Sequence, residues 1–395
     1  PFHVDAGLEL AEILLGQEAF VEAAERVDRV LQTEPANFDA HLMRLRITAA
    51  RDLEADTIST AAYELIKNFP DNPEAELAAG RVYAGLGDSG EARLHARRAV
   101  EKAEFDADLL VSAAELQTAL GDLNGALWAL TKARQAAPAD RKAGTAMVGV
   151  LLKLRDFEQA RTVLDEVLER HPASPSVMVA EGDWLMAHER HEEALARYAA
   201  AFERQPNPAS LRTLFRARII AGDEAGAEDL MQDWIAKHPA DIGSQRMYAH
   251  SLLRRQAHTE ATRVYERIRE QGFEDVLLLN NLAALYHMQA DERAVPTIKR
   301  AYEQAPEDPA VLDTYGWILT ETGNPAEGLA LLREAFARSS TSPEIRYHIG
   351  VALMKLGRDA QAREEFEAAL DTGEEFAGAK EARLMLSRLG SAAAN

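Results

Sequence analysis

A repeat constrains this chain more than any other feature. Prolines recur at Pro35, Pro70, Pro138, Pro172, Pro206, Pro239 and Pro306, at spacings of 35, 68, 34, 34, 33 and 67 residues. The two long gaps are double steps, so the period is about 34 residues. A mostly small residue keeps the same step: Ala23, Ile58, Ala92, Ala126, Ala160, Ala194, Ala227, Ala261, Ala294, Gly328 and Ala362, every 33 to 35 residues. The register defines about eleven units, from the first residues to about Leu370.

Each unit reads as helix, short turn, helix. From Asp106 to Pro138, Leu109, Leu110, Ala113, Ala114 and Leu116 form one apolar stripe at helical spacing, and Ala126, Leu127, Leu130 and Ala133 form a second. Between them Leu120-Gly121-Asp122 is a helix stop with Gly at a left-handed position, and Pro138 ends the second helix. The same turn is written at Gly87, Gly222, Gly323 and Gly357. A lone helix pair cannot bury its apolar face, so each unit must rest on its neighbours. Small residues such as Gly80, Gly182, Gly316 and Gly350 permit close helix contacts, and Tyr83, Tyr286 and Phe366 fill the space between units. The last unit needs a polar-faced cap. Glu374 to Leu389 supplies one, with Phe376, Ala379, Ala382, Leu386 and Leu389 inward and Glu374, Glu375, Lys380, Arg383 and Arg388 outward. The expected organisation is an all-α array over residues 1–370 and a capping helix and tail over 371–395.

This grammar resembles the tetratricopeptide (TPR) repeat. Repeat 11 carries its signature at Ile349, Gly350, Leu353, Gly357, Ala362, Phe366 and Ala369. Repeat 9 carries it in its first helix at Leu282, Ala283 and Tyr286, then loses one residue in its turn. Repeats 1, 2 and 8 depart further, with Arg51-Asp52 and Gln256-Ala257 in place of the Gly-Asp turn. The resemblance implies a right-handed superhelical solenoid with a concave groove.

Composition excludes several functions. The 395 residues contain 44 Lys+Arg and 65 Asp+Glu, a formal net charge of −21, which repels phosphate backbones and argues against nucleic acid as a partner. With no cysteine there is no disulfide, thiolate metal site or cysteine nucleophile. A hydrophobic content of 47% supports packed cores rather than disorder. No phosphate-binding Gly-rich loop or Gly-x-Ser-x-Gly elbow is present. His188-Glu189-Arg190-His191 lacks the spacing of a zinc helix and falls in an inter-helix turn. No catalytic residue, cofactor or metal is expected.

The groove is the better place to look. The facing of the first helices selects Arg81, Glu115, Asp183, Arg212, Arg216, Arg246, His250, Asn280, His287, Asp313, Trp317 and Tyr347. Arg212 and Arg216 share a helix face, and Arg246 and His250 repeat the spacing one unit later. This basic strip suits a carboxylate, an acidic peptide or a sugar acid, unless its arginines pair with acids of adjoining repeats. Trp317 and Tyr347 offer flat faces for a sugar ring or a partner side chain, unless they fill space between repeats. Asn280 and Asn281 resemble the Asn that holds peptide backbone in TPR grooves, but Tyr315 stands in the next repeat where a clamp for a C-terminal carboxylate would need another Asn.

A second resemblance covers about 80 residues. Leu278 to Tyr286, Ala305 to Leu319, Gly328 to Ala335 and Pro343 to Leu353 look like the C-terminal part of the TPR-repeat lipoproteins of PEP-CTERM/exopolysaccharide systems, called PrsT. It implies a periplasmic scaffold in exopolysaccharide assembly or export, with protein partners from that machinery. No apolar run approaches the roughly 20 residues needed to cross a bilayer, so membrane attachment is expected only through a lipid anchor outside these residues. A first residue Pro1 rather than Met predicts a trimmed or processed form. A cytoplasmic peptide-binding adaptor and the substrate-holding arm of a larger enzyme remain alternatives.

Overall fold

The computed structural model describes residues 3–51, 54–373 and 376–392, with side chains to Leu389. Among the described residues there are 23 helices and no strand. The first helices of successive pairs are α1 (Val4–Gly16), α3 (Phe38–Arg51), α5 (Pro73–Gly85), α7 (Ala107–Ala119), α9 (Arg141–Leu154), α11 (Pro175–Ala187), α13 (Pro208–Ile220), α15 (Ile242–Arg254), α17 (Val276–Met288), α19 (Pro309–Glu321) and α21 (Pro343–Lys355). Their second helices are α2 (Phe20–Thr33), α4 (Ala55–Asn68), α6 (Ser89–Lys102), α8 (Leu123–Ala136), α10 (Phe157–Arg170), α12 (His191–Arg204), α14 (Glu224–Lys237), α16 (His258–Glu270), α18 (Ala294–Gln304), α20 (Pro325–Arg338) and α22 (Asp359–Leu370), followed by α23 (Ala379–Ala392). The chain divides into two compact units, Pro1–Ala227 and Glu228–Asn395.

Helix ends follow local chemistry. Asp106, Asp122, Asp140 and Asp156 cap successive helices of the first unit by accepting hydrogen bonds from first-turn N–H groups. Prolines do more than end second helices. Pro73, Pro175, Pro208, Pro309 and Pro343 open first helices, where the missing N–H costs nothing.

The turn inside each pair needs one left-handed residue. Gly87, Gly121, Gly222, Gly323 and Gly357 have φ between 72° and 99°. At the same place Glu18, Arg155, Glu189, Gln256 and Ala290 have φ between 53° and 63°. The next N–H then closes the turn, as Asp122 N donates to the Gln117 carbonyl at 2.8 Å. Glu189 lies in the His188–His191 motif, which therefore forms a turn: His188 Nδ1 lies 2.8 Å from the Trp184 carbonyl, and Arg190 donates to Glu193. Position 52, the Asp of the Arg51-Asp52 turn, lies outside the described residues.

The landmark residues are buried. Ala23, Ala92, Ala126, Ala160 and Ala194 of the first unit, and Ala261 and Ala362 of the second, are fully covered. Close approach is tight at Gly350, where an added Cβ would lie 2.5 Å from the Phe366 ring. In the first unit, cores join α1–α3, then α3–α5, then α5–α11. In the second, one core runs from α19 to α23 and includes Tyr347, Phe366, Ala382 and Leu389. The cap helix begins at Ala379, later than the sequence suggests, because Gly378 turns the chain at φ 98° against the Tyr347 ring. Glu374 and Glu375 lie outside the described residues, while Lys380, Arg383 and Arg388 are exposed.

One charged network is built into the first unit. Glu76 of α5 is 2% exposed, accepts a hydrogen bond from Lys102 at 2.5 Å and lies 2.6 Å from His95 Nδ1. Tyr83 stacks on the same His95 at 5.3 Å. Burial works against charge on Glu76, but the bonds to Lys102 and His95 outweigh it and hold the carboxyl below its usual range.

Two predictions concern stability. Gln256→Gly relieves a left-handed non-glycine residue and should stabilise the second unit by about 0.5–1 kcal/mol after the added chain entropy, read as a higher urea midpoint. Glu76→Gln should cost about 2 kcal/mol near neutral pH, because it replaces charge-assisted bonds with a neutral amide facing the part-buried Lys102. The Glu76 contribution is present above the unfolded carboxylate pKa of about 4.3 and is lost as pH falls through the depressed folded value. The gap between wild type and variant in thermal scans should therefore close in acid.

Candidate groove of the first unit

The first helices of consecutive pairs contribute most of the lining of three cavities in the first unit. One cavity of about 480 Å³ is bounded by Leu152 and Lys153 of α9, Asp183 and Met186 of α11, Tyr198 of α12, and Arg216 and Ile220 of α13. A second, of about 490 Å³, runs past Glu115 of α7, Arg141 and Thr145 of α9, Asp183 again, and Ser210 and Thr213 of α13. A third, of about 930 Å³, is lined by Arg46 of α3 and Arg81 of α5. The helix facing read from the sequence therefore places Arg81, Glu115, Asp183 and Arg216 on cavity walls.

Asp183 joins the first two cavities. Gly182 has no side chain, so the Tyr198 ring lies against it; an added Cβ would sit 2.5 Å from the ring. The Tyr198 hydroxyl then reaches Asp183 Oδ1 and donates to it at 2.7 Å. Asp183 is exposed to solvent yet hemmed in by neighbouring helices. Burial pushes its carboxyl above the usual range, and the Tyr198 bond acts in the opposite direction. Burial and the adjacent Asp183 push the Tyr198 phenol far up, so it stays a donor. Arg216 lies on the same cavity wall and makes no ion pair among the described residues. Arg212, one turn away, is exposed and equally unpaired.

The remaining sequence candidates fall in the second unit. Arg246 is neutralised by Asp275 at 2.5 Å, an acid of the adjoining repeat. His250 is exposed. Asn281 donates to the Tyr265 hydroxyl at 3.1 Å, so its amide is engaged inside the protein, and the buried Asn280 Oδ1 has no hydrogen-bond partner among the described residues. Burial holds the His287 imidazole below its usual range. Asp313 lies 2.7 Å from His348 Nδ1, and the half-buried Trp317 stacks on His348 at 4.3 Å. Tyr347 corrects the expected pair of accessible aromatics. It is 7% exposed, with Phe366, Phe376 and Gly378 around it.

Sequence reasoning missed Tyr198, Lys153, Met186 and Ile220 as cavity residues. The signal for Tyr198 was present. It stands 16 residues after Gly182, as Phe366 stands 16 after Gly350. A Tyr at such a packing position carries a hydroxyl that needs a partner, and Asp183 is the residue beside the glycine.

These helix pairs define the class. The tetratricopeptide repeat model matches residues 117–178 and 319–384. The chain carries tetratricopeptide repeats in an all-α fold. The TPR repeat-containing protein PA4667 of Pseudomonas aeruginosa is 27% identical over 200 residues, which are 47% of this chain and 32% of that protein. The chain thus matches about a third of the length of this curated relative. Among solved structures, yeast Tom70 is 12% identical with a TM-score of 0.44, covering 91% of this chain and 96% of that one. The human IFIT1 dimer with m7Gppp-AAAA is 16% identical with a TM-score of 0.47, covering 86% and 72%.

The hydrogen bond to Asp183 is open to direct test. A donor favours the ionised carboxylate, so Tyr198→Phe should raise the Asp183 pKa further, as followed by carboxyl-carbon NMR titration. An unchanged titration would separate the two groups.

Proposed function

We propose that this protein is a non-enzymatic interaction scaffold whose first-unit groove receives an acidic segment of a protein partner. The observation that carries this reading is Arg216, an unpaired cation on a cavity wall in a chain of net charge −21. Lys153 lines the same cavity, and Leu152, Met186 and Ile220 give it apolar surface. A carboxylate entering there exchanges water for charge-assisted bonds, and apolar side chains beside it find a floor. TPR repeats as a class support a protein-interaction role, and nothing in the groove calls for a reaction.

We further propose that the scaffold works in exopolysaccharide assembly or export at a bacterial envelope. It would face the periplasm and hold to the membrane through a lipid anchor. The resemblance of residues 278–353 to the PrsT lipoproteins supports this setting. Its partners would then be export or assembly proteins.

Deleting the gene in the producing bacterium should abolish secreted polysaccharide, and the wild-type gene should restore it. Complementation with Arg212→Glu plus Arg216→Glu should fail although the protein accumulates normally. A photo-crosslinking residue at Thr213 should capture one dominant partner in the wild type and lose it in the double variant. Unchanged secretion on deletion would remove the envelope reading. Capture that survives the double variant would remove the groove reading.

A further inference from the structure

The outer face of α1 is uncovered apolar surface. Ile13 is 57% exposed and Leu10 is 36% exposed, and with Ala6 they form an i, i+4, i+7 stripe. The repeat register supplies an internal control, because the same three positions recur in later first helices. Those equivalent to Ile13 include Ile47, Leu116, Leu285 and Ile318, each no more than 8% exposed. Those equivalent to Leu10 include Ala113, Met147 and Leu282, and those equivalent to Ala6 include Ala40, Ala75 and Val177, all buried, while α3 carries the exposed Arg44 at the Leu10 position, paired with Asp28 of α2. In α3, Ala40 and Ile47 share a core with Val27 and Val30 of α2, the second helix of the preceding pair. The stripe on α1 is thus the repeat-to-repeat interface continued by one unit, without its other half.

The opposite end is finished differently. There α23 buries Ala379, Ala382 and Leu389 and turns Lys380, Arg383 and Arg388 to solvent. A terminal repeat with a polar outer face is the stable end of a stack. The outer face of α1 lacks that character.

We propose that the outer face of α1 seats one more helix pair of the same repeat class, carried on the N-terminal side of the same polypeptide. Its second helix would lie on α1 as α2 lies on α3, presenting apolar residues at the spacing of Ala23, Val27 and Val30. A second copy of the protein is a poorer occupant, because the outside of α23 sets Lys380, Arg383 and Arg388 around the exposed Leu384.

Residues 1–395 contain no cysteine, so a thiol introduced among them, read against the labelling of the wild-type protein, reports accessibility. In the native, full-length protein, Ile13→Cys should react with a maleimide at least tenfold more slowly than Tyr63→Cys, whose parent side chain is 63% exposed. Hydrogen exchange of wild-type α1 should be as slow as that of α3, which reads the same interface without a substitution. Ile13→Cys reacting as fast as Tyr63→Cys, with α1 exchanging freely, would overturn the proposal. Protection that appears only as protein concentration rises marks a second copy and would overturn it. A native chain with fewer than about 34 residues ahead of Val4 would also overturn it, since one repeat needs that length.

Discussion

A pair of short helices has more apolar surface than its two members can hide from each other, and the rest of this structure follows from that shortfall. Each pair lends a face to the next, so small residues must stand where backbones meet and large ones where gaps remain. Gly182 with Tyr198 and Gly350 with Phe366 are two settings of one device: an absent side chain on a first helix and a ring from the second helix lying in its place. The device also sets the chemistry of the groove. When the ring is Phe366 the contact is purely apolar. When it is Tyr198 the hydroxyl emerges beside Asp183 and fixes a carboxylate between two cavities.

Polar interior groups obey the same economy of contacts. Glu76 is tolerable inside the first unit because Lys102 and His95 both reach it. Asp183 has only a phenol and stays in touch with water. The difference separates a structural charge from one available to a ligand: the first is saturated by its own chain, the second is not.

Periodicity made the helix pairs, their turns and the small-residue contacts legible in the sequence, because each repeats and each has one cause. The site was legible only in part. Helix facing located Arg81, Glu115, Asp183 and Arg216 on cavity walls, since facing depends on spacing alone. It failed at Tyr347, where the segment leading into α23 folds over the ring, and no period announces a cover used once. Asn281 and Arg246 were legible as polar positions but not as occupied ones. Their partners, Tyr265 and Asp275, come from elements whose approach distance the sequence does not encode. Nor did the repeat show that the candidates are shared between two compact units.

The Tyr198–Asp183 bond has an evolutionary consequence. At Arg216 and Ile220 the cavity wall is made of exposed side chains outside the buried core, so selection can retune recognition there without touching stability. At Tyr198 the two roles share one side chain, whose ring packs on Gly182 while its hydroxyl holds Asp183. Lineages that diverge in what they bind should drift freely at Arg216 or Ile220. They should change Gly182, Asp183 and Tyr198 together or not at all.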